Sequence, residues 1–186
     1  MKFWHSLNFV KHFEVFFWSL LLFLTALTGC PGDGSRIIIR SAVNSSVALS
    51  ALDVAISKIG VPYVLGGKGP YFLDCSGIIS SSYRSVDSTI LFNTSAGFSP
   101  DVAMQDLYDR NVVHIDQQQV NAGDIVFITS DSNKISHGGL FIKWIQPNEF
   151  CYVNASSYYS KVVVDSFTTT GVVRNQWVVG FGRLLK

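Results

Sequence analysis

The sequence predicts an α+β domain, with helices first and a five- or six-stranded antiparallel sheet after them. Three observations predict it. Apolar residues recur at helical spacing only as far as about Arg110. Beyond that point, β-branched and aromatic runs alternate with turn signals. No internal repeat or long low-complexity tract interrupts residues 46–186, so they read as one domain.

The first helix is expected to open at Ser46, whose hydroxyl can accept from the free N–H groups of a first turn. Ala48, Leu52, Ala55, Ile56 and Ile59 share one face, and Gly60 followed by Pro62 stops the helix. A glycine-rich loop, Gly66-Gly67-Lys68-Gly69-Pro70, leads into Asp74-Cys75-Ser76-Gly77. A second helix begins there, with Ile78, Ile79 and Tyr83 turned inward. Ser99-Pro100-Asp101 opens a third, with proline at its first position and Met104, Leu107 and Tyr108 as its apolar stripe. Val112-Val113-His114-Ile115 is short and apolar, and Asn121-Ala122-Gly123-Asp124 reads as a turn. The remaining strands are expected at Ile125–Ile128, Gly139–Trp144, Phe150–Val153, Lys161–Val164 and Trp177–Phe181.

The first thirty residues stand apart. Lys2, Lys11, His5 and His12 make a mildly basic opening, followed by an apolar run from Val15 to Leu27. A spanning helix needs roughly 20 apolar residues, so the run is short for that role. A basic stretch, a short apolar stretch and small residues at its end read as an export signal. The tetrad Leu27-Thr28-Gly29-Cys30 resembles the bacterial lipobox. That resemblance implies a signal peptide over 1–29, lipidation of Cys30, and a membrane anchor at the cell envelope. An uncleaved N-terminal anchor is the alternative. Residues 30–45 then form a tether, with Ile37-Ile38-Ile39 as an alternative short strand.

With 186 residues, 48% of them hydrophobic, the chain can bury a core in one domain and still carry an extension. Removing Lys2, Lys11 and Glu14 from 14 basic and 13 acidic residues leaves 12 of each, which argues against a general nucleic-acid binder. With Cys30 set aside, only Cys75 and Cys151 remain, too few for a disulfide framework. Two distant histidines and no Cys-x-x-Cys give no zinc pattern, and no cofactor is implied.

Cys75 is the candidate nucleophile. It sits where a glycine-rich loop becomes a helix, and a helix N-terminus favours a nearby negative charge, which is expected to lower a thiol's pKa. A cysteine nucleophile needs a base and a group to hold that base. His137, in Ser136-His137-Gly138-Gly139 at the mouth of a strand, is the candidate base, while His114 reads as a half-buried strand residue. Asn154, on the next strand, is the candidate acceptor for the second imidazole nitrogen. Lys58 and Lys68 read as solvated charges.

Four blocks then fall in order: Val61-Pro62-Tyr63-Val64-Leu65-Gly66-Gly67, Asp74-Cys75-Ser76-Gly77, Gly123-Asp124-Ile125-Val126-Phe127 and Ser136-His137-Gly138-Gly139. Together they resemble the NlpC family of papain-like cell-wall peptidases, over about Leu49 to Leu184. The resemblance implies a papain-like fold and hydrolysis of amide bonds in peptidoglycan stem peptides or crosslinks. It implies a Cys75–His137–Asn154 triad, Tyr63 at the oxyanion, and Asp74 and Ser76 against the stem peptide. It also implies that Cys75 and Cys151 stay unpaired, since a bridge would remove the nucleophile. The family stretch that carries an arginine and a substrate-binding serine falls here on Pro100 and Val102, which departs from the pattern. Two other functions remain: a non-catalytic wall-binding or regulatory lipoprotein, and a thiol amidase or acyltransferase acting on a non-wall substrate.

Overall fold

The computed structural model describes residues 39–186, and the folded unit runs from Arg40 to Lys186. The expected export segment, Cys30 and most of the tether lie outside the described residues. Helix α1 spans Ser45–Ser57 and is capped by Asn44, whose Oδ1 accepts from the Val47 N–H at 2.9 Å. Ser46, the expected cap, is already inside the first turn, and its hydroxyl donates to the same Asn44 Oδ1. The buried stripe is Ala48, Ala51, Leu52 and Ala55. Ile56 and Ile59 instead stand 37% and 51% exposed, because Ile56 lies off the buried alanine face and Ile59 lies beyond the helix, which ends at Ser57.

Helix α2 spans Cys75–Val86 as expected, with Ile78, Ile79 and Tyr83 fully buried. A hairpin that the sequence reading missed follows, β1 at Phe92–Thr94 and β2 at Gly97–Ser99. Strands of three residues are too short for an alternation to register. Helix α3 covers Met104–Arg110 and starts later than Pro100. Local side-chain bonds hold the preceding segment out of the helix: Ser99 Oγ accepts from Asp101 N–H and Asp101 Oδ1 from Val102 N–H.

The sheet comprises β3 (Val112–Ile115), β4 (Ile125–Thr129), β5 (His137–Gln146), β6 (Glu149–Ser156), β7 (Lys161–Thr168) and β8 (Trp177–Leu184). Its order is β3-β8-β4-β5-β6-β7, with every neighbouring pair antiparallel. All five residues of β4 are buried, as a central strand covered on both faces requires. Ile125 and Phe127 join the helices in one core with Leu140 and Val153. Val126 and Ile128 face a second, largely aromatic cluster with Phe141, Phe150, Tyr152 and Phe181. Register shifts interrupt the β4–β8 and β5–β6 pairs, and Phe141, Trp144 and Phe150 pack tilted or edge to face with ring centroids 5.1–5.8 Å apart.

The expected Gly123-Asp124 turn is a structural joint. Gly123 has φ +91°, and a Cβ there would lie 2.3 Å from the Ala48 carbonyl oxygen. Asp124 is buried and paired with Arg183 of β8 at 2.8 Å, while the Tyr83 hydroxyl donates to the Gly123 carbonyl. The domain also begins before the expected Ser46. Val43 N–H donates to the Leu184 carbonyl and Ser41 N–H to that of Lys186, so residues 41–43 pair with the chain's end. Among the described residues, no helix is long and apolar enough to cross a membrane.

Candidate active site

The first turn of α2 is held in place by Asp74. Its Oδ1 caps the helix by accepting from Gly77 N–H at 2.6 Å, and its Oδ2 accepts from Gly66 N–H at 3.0 Å. Asp74 N–H in turn donates to the Gly67 carbonyl. The loop and helix meet so closely that a Cβ on Gly77 would lie 2.1 Å from Gly67 O, which accounts for glycine at that position. Cys75 is thereby fixed at the start of α2, buried, facing the loop before β5.

The thiol's hydrogen bond runs to the Ser136 carbonyl, 3.8 Å away and one residue before His137. Burial pushes the thiol up to about 11, with the Asp74 carboxylate adding to the push. Backbone N–H groups of the helix start and the Lys68 ammonium act in the opposite sense without overcoming it. The expected lowering by the helix N-terminus is therefore reversed, because desolvation of a thiolate outweighs a partial charge.

His137 opens β5, and its Nε2 lies 3.2 Å from Asn154 Oδ1 on β6. With the amide oxygen toward the ring, Nε2 carries the proton and Nδ1 keeps a free lone pair. Burial pushes the imidazole down to about 4, against a smaller upward push from the Asn154 bond. The Arg174–Asp165 ion pair, closed at 2.6 Å, lines a small pocket with His137 and has opposed effects on the ring. The resting pair is consequently a neutral thiol and a neutral imidazole.

Tyr63 is half-buried beside these groups, since burial and then the charges of Cys75 and Asp74 raise its phenol. Ser76 is buried, with its hydroxyl 3.1 Å from Asp74 Oδ1. The sequence-predicted Cys75, Asp74 and Ser76 line one cleft of about 540 Å³ together with Ser136, and His137 opens onto a smaller pocket of about 260 Å³ with Tyr152 and Arg174. His114 is exposed on β3, its ring against Tyr108 at 4.4 Å and remote from this cleft's lining. Cys75 and Cys151 are both free thiols, Cys151 half-buried on β6.

Two readings of lysines need correction. Lys58 donates to Ser81 Oγ at 2.8 Å, and burial pulls its ammonium down. Lys68 is bonded to Ser76 Oγ at 2.7 Å and to Asp74 and Asp101 at 3.1 Å. Nothing in a lone Lys after two glycines signals such partners, because two of them lie six or more residues downstream and Asp101 comes from another loop. Gln105 was likewise missed as an anchor: its Oε1 accepts from Ile135 N–H at 2.8 Å and so holds the loop that carries Ser136.

Residues 60–181 match the profile of the NlpC/P60 family. A curated protein named "Probable endopeptidase p60", from Listeria grayi, is 30% identical over 146 residues, 78% of this chain and 24% of the relative. The chain thus spans about a quarter of that relative's length. Among solved structures, NlpC1 from Trichomonas vaginalis aligns with a TM-score of 0.56 at 21% identity, over 79% of this chain and 47% of that one. An NlpC/P60 family protein from Bacillus cereus aligns with a TM-score of 0.55 at 20% identity, over 78% and 42% respectively. At these identities the two structures speak for the fold.

Proposed function

The chain belongs to the NlpC/P60 family, and from that premise we propose that it is a cysteine peptidase that hydrolyses amide bonds in peptidoglycan stem peptides or crosslinks. One observation carries the reading: a buried thiol at a helix start faces the residue before a histidine whose other side is held by an asparagine. The curated relative's name, an endopeptidase, points the same way.

In the proposed reaction, Cys75 Sγ attacks the scissile carbonyl as its proton passes to His137 Nδ1. Tyr63 and backbone N–H groups at the start of α2 donate to the oxyanion. The C–N bond breaks as the imidazolium gives that proton to the leaving amine, leaving a thioester on Cys75. Water then attacks the thioester with His137 as base, releasing a carboxylic acid and restoring the thiol. Asn154 keeps the proton on Nε2 throughout and so keeps Nδ1 basic. Because thiol and imidazole both begin neutral, proton transfer accompanies attack and needs no preformed ion pair. Asp74 and Ser76 would contact the stem peptide. Lipidation at Cys30 would hold the enzyme at the cell envelope, limiting it to wall strands within reach of its tether.

A second reading, a non-catalytic wall-binding lipoprotein, has one observation in its favour. The thiol bonds to the Ser136 carbonyl rather than to the imidazole. A thiol amidase or acyltransferase on another substrate would use the same residues. The test is a digest of purified peptidoglycan and soluble muropeptides by the full chain, read by mass spectrometry, beside Cys75→Ala and His137→Ala. New amine-ended fragments from the parent alone are expected and would name the bond. Identical silent traces from all three, across several wall chemistries, would retire the hydrolase reading.

A further inference from the structure

Lys68 Nζ has five oxygen atoms around it. They are Asp74 Oδ1 and Oδ2 at 3.1 and 3.3 Å, Ser76 Oγ at 2.7 Å, Asp101 Oδ1 at 3.1 Å and the Val102 carbonyl at 3.4 Å. These partners differ in how easily they can leave. Asp74 is buried and also holds two backbone N–H groups, so moving it would uncap α2. Ser76 is buried beside it, and the Val102 oxygen is main chain. The Asp101 side chain is 52% exposed and belongs to the irregular segment ahead of α3. Its Oδ1 also accepts from Val102 N–H, a local bond within that segment, so it can part from Lys68 without uncapping a helix or breaking a strand.

We propose that Lys68 and Asp101 form an exchangeable ion pair that selects substrates by a carboxylate, the substrate's carboxylate taking Asp101's place on the Lys68 ammonium. The inference rests on the hydrolase reading above and assigns it a specificity residue. Both residues line the cleft that contains Cys75, so a group bound there lies alongside the reacting bond. Charge decides that the event is an exchange. One ammonium already lies between two carboxylates, so adding a third anion beside both would be repelled, whereas a carboxylate that takes Asp101's place lets the exposed Asp101 side chain turn to solvent, where its charge is screened. A pair whose carboxylate is half in solvent stabilises the fold little, so opening it costs little. The incoming carboxylate recovers the charge-assisted hydrogen bond that Asp101 gives up. Lys68 thus offers a cation in the cleft although Pro100 and Val102 supply none, and Asp101 keeps that cation paired when the cleft is empty.

The test uses the full chain and two synthetic stem peptides that differ at one group, the carboxylate on the residue adjoining the scissile bond, present as free acid or as amide. The parent is expected to favour the acid by about tenfold in kcat/KM, the size of one charge-assisted hydrogen bond. Lys68→Met should bring that preference close to one, mainly by raising KM for the acid. Asp101→Asn, which leaves the Asp74 cap untouched, should lower KM for the acid severalfold and widen the preference. Calorimetric Kd values for both peptides on Cys75→Ala carry the same expectation without turnover. Equal Kd for acid and amide, or a preference that Asp101→Asn leaves unchanged, would overturn the exchange. Silent turnover with an intact Kd preference would instead sink the hydrolase reading and spare the ion pair.

Discussion

Acidification should destabilise this domain through His137, by an amount set by its burial. An imidazole free in the unfolded chain titrates near its ordinary value of 6.5, and the folded environment pushes it down to about 4. Between those values the unfolded state holds a proton that the folded state does not. Stability therefore rises with pH across the window and is lost as pH falls from about 6.5 toward 4. Each unit of separation is about 1.4 kcal/mol, so going from pH 7 to pH 4.5 should cost about 2 kcal/mol through this one group. That is a large share of the roughly 5–15 kcal/mol that keeps a domain folded. Urea midpoints of the parent and His137→Gln, taken at several pH values, isolate the contribution, because the carboxylates titrate in both. The parent should lose about 2 kcal/mol more than the variant, or about 1 M in midpoint. Equal acid losses would refute the claim that His137 is held neutral by burial, and with it the neutral resting pair.

Asn154→Ala removes the bond that holds the Nε2 proton, worth about 1 kcal/mol for a neutral pair, so kcat should fall about five- to tenfold with KM little changed; steady-state kinetics on a stem peptide checks it. Tyr63→Phe deletes only a hydroxyl and should lower kcat at least about tenfold while the urea midpoint stays near the parent's. An unchanged kcat would return Tyr63 to a packing role. Gly77→Ala would set a methyl group 2.1 Å from the Gly67 carbonyl oxygen, a backbone clash expected to cost more than about 2 kcal/mol, read as a lower midpoint and a lower yield of folded protein.

Local chemistry was enough to read most of the architecture. The start of α2 was legible because a glycine-rich loop gives way to Ile78, Ile79 and Tyr83 at helical spacing, while the Asp74 cap emerged only in the structure. The strands were legible because β-branched and aromatic runs between turns have few other uses. The start of α3 was misread because a Ser-Pro-Asp signal competes with side-chain bonds that hold the same residues in a turn. The β1–β2 hairpin lacked enough residues to show a period.

The sequence by itself singled out Cys75, His137 and Asn154 as candidates for one kind of chemistry, since residue type, order and neighbouring glycines are local properties. It could not supply the electrostatics. Whether a helix start lowers a thiol's pKa depends on how much water remains around it, and burial among residues distant in sequence reversed the expected direction at Cys75. Lys68 follows the same logic. In the sequence it is one cation among others, and its role arises because Asp74, Ser76 and Asp101 converge on it from a helix cap and a separate loop. Desolvation and convergence are sums over neighbours that only packing brings together, so they were decided when the helices closed against the sheet.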